Sequence, residues 1–233
     1  MKKIFLSALA LVAAASLRAE DLVPSFSVTA DFTFASEYVF RGVKQQSASF
    51  QPSIGLEAGA FSAGLWTAQA VEQRTGSWAQ GNEIDLFAGY ALVLAKDYEL
   101  TFGATAYLYP SARPSLGELD STFETSVGFS GPVGPLAGSA AYFHDFDLKG
   151  DIFELGVSYG VELGESVSYE FAATYGLARY DAGGDYDYTG LSASLAYQLT
   201  GTAKLKLGVH WADTDLTGLK SNTWFSIGIT AGL

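Results

Sequence analysis

Apolar and polar residues alternate one by one along most of the chain. Between residues 153 and 163, every odd position is apolar and every even position is Glu, Gly or Ser. Residues 26–34 and 84–92 follow the same period of two. Successive side chains of a β-strand point to opposite faces, so this period predicts strands with one apolar face and one more polar face. Helical spacing would instead spread the acidic residues over all sides.

The pattern predicts twelve such strands. Each is long enough to cross a bilayer when tilted, which takes about 9–11 residues. Short connections such as Gly59-Ala60 and Gly201-Thr202 follow the even-numbered strands, whereas longer polar connections, such as the one from Arg41 to Ser49, follow most odd-numbered strands. This layout is typical of an all-β, antiparallel up-and-down transmembrane β-barrel with both termini on the periplasmic side. The predicted strands start near Phe26, Phe50, Phe61, Glu83, Tyr98, Thr122, Leu136, Asp151, Val167, Tyr188, Lys204 and Thr223.

Aromatic residues favour this barrel over a soluble β-sandwich or a lipocalin-like barrel. They gather near the two ends of the predicted strands, as in the aromatic girdles of membrane barrels. The apolar face between them carries no charge at any strand centre. The loop-end group is Tyr38, Phe40, Phe50, Tyr107, Tyr109, Tyr175, Tyr188, Trp211 and Trp224. The turn-end group is Phe26, Phe61, Tyr90, Tyr98, Phe129, Tyr159, Tyr169 and Tyr197.

The first residues are expected to be a secretory signal peptide. Lys2 and Lys3 precede an apolar stretch that ends in small residues, and cleavage is expected near Ala19. Cleavage after Ala15 is the alternative, because Leu17 is larger than the residue usual three positions before the cut. The expected domains are therefore a signal peptide, residues 1–19, and an outer-membrane barrel, residues 20–233. The chain ends on the aliphatic Leu233 rather than the aromatic residue common in such barrels, which leaves the efficiency of assembly open.

Charge and cysteine content limit which binding partners and sites the chain is expected to have. The whole chain has 13 basic and 25 acidic residues, and removal of three basic residues with the signal leaves 13 − 3 = 10, a net charge of 10 − 25 = −15. The negative electrostatic potential of such a chain disfavours binding to nucleic acid. The chain has no Cys, which excludes disulfides and thiolate metal sites. Expected partners are outer-membrane lipid, lipopolysaccharide, the barrel-assembly machinery, and small solutes or cations.

The polar face of the barrel is expected to line the lumen. Rings of carboxylates would raise the local concentration of cations and repel anions, which predicts an acidic channel. A closed interior, in which the acids pair with nearby cations and tyrosine hydroxyls, is the alternative, because the width of twelve strands does not decide between them. The candidate pore-lining residues are Asp31, Glu57, Glu83, Asp85, Glu99, Glu124, Glu154, Glu170, Lys204 and Lys206.

Arg41 is the candidate loop or constriction residue, with Glu37 or Glu57 as expected partners. It lies in the stretch SEYVFRGVKQ at residues 36–45, which resembles the end of the first strand in the TorF-like porins, also described as the Gcw_chp group of bacterial proteins of unknown function. Residues 83–90, EIDLFAGY, are similar to the fourth strand of that group. The resemblance implies an outer-membrane barrel and a pore, without a defined substrate. Gly42 is expected to permit a turn conformation that a Cβ would oppose.

Enzymatic and metal chemistry have weaker support. Only His144 and His210 could serve as a general base, and no motif marks a nucleophile, although His144-Asp145 is a conceivable pair. Asp181, Asp185 and Asp187 crowd one loop without EF-hand spacing. The prediction is therefore a non-enzymatic outer-membrane channel, monomeric or weakly oligomeric, with no cofactor or metal. A plugged structural barrel, an adhesion barrel and an outer-membrane hydrolase remain as alternatives.

Overall fold

The computed structural model describes residues 26–71, 81–95 and 97–233. The predicted signal peptide and most of the loop after the third predicted strand lie outside these residues. The strands are β1 (Phe26–Ala35), β2 (Tyr38–Phe40), β3 (Val43–Gln46), β4 (Ser49–Ala58), β5 (Phe61–Ala70), β6 (Glu83–Ala95), β7 (Tyr98–Leu108), β8 (Ser121–Val133), β9 (Leu136–Asp145), β10 (Gly150–Leu163), β11 (Val167–Tyr180), β12 (Tyr186–Gln198), β13 (Ala203–Thr214) and β14 (Asn222–Gly232).

In the described residues, twelve of these strands, β1 and β4 to β14, close into one antiparallel barrel. Strand β1 completes the closure, since Phe32 lies opposite Ile229 of β14 on one side and Pro52 of β4 on the other. Closure leaves no barrel strand with an unpaired edge, so the backbone polar groups are satisfied within the sheet. The predicted fold is confirmed, and every predicted strand start lies within two residues of the observed one.

The apolar phase of the strands points outward. Leu155, Phe171 and Ile227 are among the exposed large side chains on this face. Lipid can cover such a surface, whereas a charge at its centre would cost about 2–4 kcal/mol for Lys or Arg. The opposite phase points into the lumen and carries most charged residues of the strands. The charged residues of outward phase lie near the loop ends and are Asp151, Arg179, Asp187 and Asp213.

The prediction of an aromatic girdle at the loop ends is confirmed only in part. Tyr38, Tyr107 and Tyr188 are buried inside the barrel and do not face outward. Tyr107 and Tyr188 occupy positions of lumen parity in β7 and β12, and Tyr38 is on β2, which is not a barrel strand. Phe50 and Tyr175 do lie exposed on the outside.

The first loop differs most from the prediction. The stretch from Tyr38 to Phe40 was expected to end the first strand, but β1 stops at Ala35. Strands β2 and β3 pair with each other to form a separate hairpin, residues 38–46, called the lumen hairpin below. Arg41 and Gly42 have φ values of 47° and 78°. Positive φ at both positions is typical of the two-residue turns that join the strands of a hairpin. The turn predicted at Gly42 is therefore present.

Helical structure is minor in the part of the chain that the structure describes. A short 3-10 helix, Pro114–Leu116, lies between β7 and β8. No helix among the described residues has the length and apolarity needed to cross a membrane.

Candidate functional site

The lumen hairpin crosses the interior of the barrel near its loop end. A Cβ at Gly42 would lie 2.6 Å from the Cβ of Tyr188 and 3.1 Å from the carbonyl oxygen of Asp213, so the turn rests directly on β12 and β13. On the other side, the Tyr38 ring lies 5.2 Å from that of Trp66 in β5. The hairpin thus reaches from one wall to the other. Its Val43 packs against a buried cluster formed by Ile152, Ala178, Tyr186 and Tyr188.

Arg41 fixes the tip of the hairpin to the wall. Its two terminal nitrogens donate hydrogen bonds of 2.7 and 3.0 Å to the two carboxylate oxygens of Glu124 in β8. The side chains are only 9 % and 4 % exposed, so this bidentate pair is shielded from solvent. Glu154 of β10 lies 3.9 Å from the Arg41 Nε. The expected partners Glu37 and Glu57 were wrong, because the hairpin folds inward and carries Arg41 to the far wall.

Aromatic rings complete the setting of Arg41. Its guanidinium carbon lies 4.7 Å from the centre of the Phe40 ring and 4.6 Å from that of Phe143. Burial acts to lower the pKa of Arg41, but the Glu124 carboxylate, with smaller contributions from Tyr107 and Glu154, raises that pKa well above its ordinary value. The guanidinium therefore stays charged, held between an anion and two ring faces.

Tyrosine hydroxyls share the same carboxylates. Tyr107 donates a 3.1 Å hydrogen bond to Glu124, and Tyr188 donates one to Glu154. Glu124 thus accepts three hydrogen bonds, two of them from Arg41. Together these donors satisfy both oxygens of the buried carboxylate.

The predicted pore-lining residues fall into two groups along the strands. Glu83, Asp85, Glu124 and Glu154 lie near the loop ends of their strands, at the level of the hairpin. Glu57, Glu99, Glu170 and Lys204 lie near the turn ends, while Asp31 lies in the middle of β1. Lys206 lies 3.9 Å from Asp31, which also accepts hydrogen bonds from Thr33 and Thr230. The structure therefore brings only the first group together with Arg41.

The hairpin carries a second ion pair. Lys44 donates to Glu37, and both side chains are about one quarter exposed. Gln46, which is fully buried, donates to the backbone oxygen of Gly81 just before β6. These contacts fix the base of the hairpin as Arg41 fixes its tip.

The two histidines lie in different surroundings. His144 Nδ1 is 2.8 Å from Asp151, not paired with Asp145 as considered, because consecutive residues of a strand face opposite sides. His210 Nε2 is 2.9 Å from the Ser226 hydroxyl, inside the barrel. Asp151 also accepts a 2.6 Å hydrogen bond from the Tyr142 hydroxyl. Among the described residues, no histidine bridges an acid and a serine or threonine hydroxyl, the order that an activated hydroxyl nucleophile needs.

The acidic loop between β11 and β12 uses its carboxylates locally. Asp185 accepts a hydrogen bond from the backbone nitrogen of Tyr180, and Asp187 forms a 2.8 Å pair with Arg179. Within the part of the chain that the structure describes, no three carboxylate or imidazole groups converge to hold a metal ion.

Solved structures share the fold at low sequence identity. A structure described as KdgM porin matches with a TM-score of 0.59 and 12 % identity, covering 87 % of this chain and 98 % of that one. A NanC porin structure matches with a TM-score of 0.57 and 10 % identity, covering 88 % and 98 %. The COG4313 outer membrane channel from Pseudomonas putida F1 gives 0.54 and 10 %, covering 94 % and 100 %. The TM-scores establish a common barrel fold. At such low sequence identity, they do not extend to activity.

The sequence comparisons concern the family. No curated protein matches the chain in sequence. A family model described as "Bacterial protein of unknown function (Gcw_chp)" matches residues 19–226, which include the motif at the lumen hairpin and every barrel strand but the end of β14. The match confirms the Gcw_chp resemblance and leaves the TorF-like name a prediction. On this match, the chain belongs to the Gcw_chp family of bacterial proteins of unknown function.

Proposed function

We propose that this protein is an outer-membrane channel through which small solutes or cations diffuse passively, and that the lumen hairpin forms its constriction. The observation that carries the proposal is the division of the barrel into an apolar outside and a charged lumen, crossed by an anchored hairpin. A barrel built only as a scaffold would need no acidic interior. The porin and channel names of the three similar structures support this proposal.

The balance of charges favours cations. Glu83 and Asp85 are buried beneath the hairpin, and Arg41 pairs with Glu124 and Glu154. Elsewhere in the lumen, the acids outnumber the basic residues: they are Asp31, Glu57, Glu99 and Glu170, against Lys204 and Lys206. The surplus of carboxylates creates a negative potential in a confined space, where it attracts cations and repels anions. Basic residues contribute nearer the turn end through Lys204 and Lys206.

A barrel without conductance is the second candidate. Val43 packs against a buried apolar cluster, and Gly42 contacts the wall, so the hairpin fills space that a solute would need. In this version the hairpin is a permanent plug. The two candidates differ in whether the hairpin leaves a path beside it or moves.

Reconstitution into a planar bilayer tests the proposal. Folded protein should insert and give discrete conductance steps, with occasional closures if the hairpin moves. Correct folding is checked separately by the slower migration of a heated sample on a denaturing gel, which barrels commonly show. Folded protein that inserts but gives no steps would overturn the channel proposal in favour of the plugged barrel.

A further inference from the structure

The base of the lumen hairpin covers an acidic part of β6. Asp85 is 0 % exposed, and neither of its carboxylate oxygens has a hydrogen-bond partner among the described residues. Glu83, two residues earlier, has the same lumen parity and is 4 % exposed. Asp85 lies between Trp66 and Tyr107 in the register of the sheet. A buried carboxylate with no partner costs several kcal/mol unless it gains a proton or a cation.

Two further buried oxygens lie at this place. The Tyr38 hydroxyl interacts with the Glu83 carboxylate, but without the geometry of a full hydrogen bond among the described residues. Gln46 lies opposite Tyr38 in the hairpin and donates through its nitrogen to Gly81, which leaves its side-chain oxygen without a partner. The Tyr38 ring lies 5.2 Å from that of Trp66, the residue opposite Asp85 in the sheet, which places Tyr38 beside this acidic part of β6. Burial, followed by the carboxylates of Glu83 and Asp85, raises the pKa of Tyr38.

The basic residues of the hairpin are engaged elsewhere. Arg41 is paired with Glu124 and Glu154, and Lys44 with Glu37. Neither is paired with Asp85 or Glu83. The surroundings of Asp85 therefore combine negative charge with neutral oxygen atoms, the donor set that hard cations such as Ca²⁺ prefer.

We propose that Asp85, Glu83, Tyr38 and Gln46 form a binding site for a hard divalent cation of the Ca²⁺ class, between the lumen wall and the hairpin. Two carboxylates neutralise the ion, and two neutral oxygens complete part of its shell. Because two ligands come from β6 and two from the hairpin, the bound ion joins the hairpin to the wall. Water supplies the remaining ligands, as is common for Ca²⁺.

Terbium luminescence provides the test, because Tb³⁺ replaces Ca²⁺ and emits when a nearby tryptophan is excited. The ring of Trp66 lies 5.2 Å from that of Tyr38 and serves as the donor. Protein folded in detergent and free of lipopolysaccharide is equilibrated with Tb³⁺ and then titrated with Ca²⁺. One saturable signal that Ca²⁺ abolishes is expected.

Variants locate the signal. Asp85→Asn should weaken Tb³⁺ binding by about tenfold or more, since it removes the charge and leaves the shape. Tyr38→Phe should weaken it by about threefold, because one neutral oxygen is lost while the ring is kept. Glu165→Gln, at an exposed carboxylate in the turn between β10 and β11, removes the same charge elsewhere and should have no effect.

Three results would overturn the site. They are a wild-type protein without a saturable signal, a signal that Ca²⁺ does not displace, and an Asp85→Asn variant that binds as the wild type does. If Asp85→Asn does not fold, Glu83→Gln and Tyr38→Phe carry the same test. The first result would assign a proton, rather than a metal ion, to Asp85. Binding is measured without a membrane, so its outcome is independent of the conductance proposed above.

Discussion

Replacement of Arg41 by glutamine should release the lumen hairpin and raise the conductance of the barrel. The change removes both hydrogen bonds to Glu124 and the two contacts with aromatic rings. Removal of one partner of a buried ion pair costs about 3–5 kcal/mol, because the other charge is left uncompensated. Glu124 keeps its hydrogen bond from Tyr107, which places the expected cost near the lower end of that range.

The lost free energy shifts the equilibrium between the docked and the released hairpin. A loss of about 3 kcal/mol moves the equilibrium between docked and released hairpin by roughly two orders of magnitude, since about 1.4 kcal/mol corresponds to tenfold. The barrel strands do not depend on Arg41 for pairing, so the fold should persist. Single-channel recording should therefore give larger steps, or longer open times, than the wild type.

A matched control separates the buried pair from ordinary charge removal. Arg113→Gln breaks the pair with Glu118 in an outer loop, where the Arg113 side chain is 60 % exposed. Exposed pairs contribute at most about 1 kcal/mol, so conductance should not change. The double variant Arg41→Gln, Glu124→Gln removes both charges and should lie closer to the wild type than Arg41→Gln alone. Folded Arg41→Gln protein with wild-type conductance would refute the role of the pair.

Two further changes test the hairpin and the outer face. Gly42→Ala places a Cβ 2.6 Å from that of Tyr188 at a φ of 78°, so the hairpin should loosen and trypsin should cleave after Lys44 faster than in the wild type. Unchanged cleavage would mean that the turn does not rest on the wall as described. Leu155→Arg puts a charge on the outer face and should lower the free energy of unfolding in lipid vesicles by about 2–4 kcal/mol, measured by urea titration, whereas Glu165→Arg in a turn should not. Equal stability of the two variants would contradict a lipid-facing Leu155.

The strands could be predicted because their signal is local. Each strand carries its own alternation, and a face that is apolar throughout, as in residues 153–163, leaves one register possible. The short turns at Gly59-Ala60 and Gly201-Thr202 mark the boundaries equally well. The first residues of the twelve barrel strands can therefore be predicted from the sequence alone.

The lumen hairpin could not be predicted in the same way. Its strands have three and four residues, too few for a periodic pattern to separate them from the end of β1. The Phe40-Arg41-Gly42 stretch did signal a turn, but not the direction in which it folds. Inward folding depends on contacts with β8, β10 and β12, which are distant in sequence.

The partners of Arg41 illustrate the same limit of local patterns. Alternation assigns Glu124 and Glu154 to the lumen but gives neither their height nor the wall that faces Arg41. Glu124 is 83 residues away in the chain. The side of the sheet that each loop-end aromatic residue faces also follows from its position in the strand. Tyr107 and Tyr188 are in the lumen phase of their strands, so they hydrogen-bond to the carboxylates and do not form part of a girdle.

The reversal potential of single channels in a KCl gradient tests the central claim most directly. A lumen lined by more carboxylates than basic residues should pass K⁺ in preference to Cl⁻, so the reversal potential should have the sign expected for K⁺ selectivity. Raising the salt concentration should weaken this preference, because ions screen the carboxylates. A reversal potential with the sign of chloride selectivity would contradict the account.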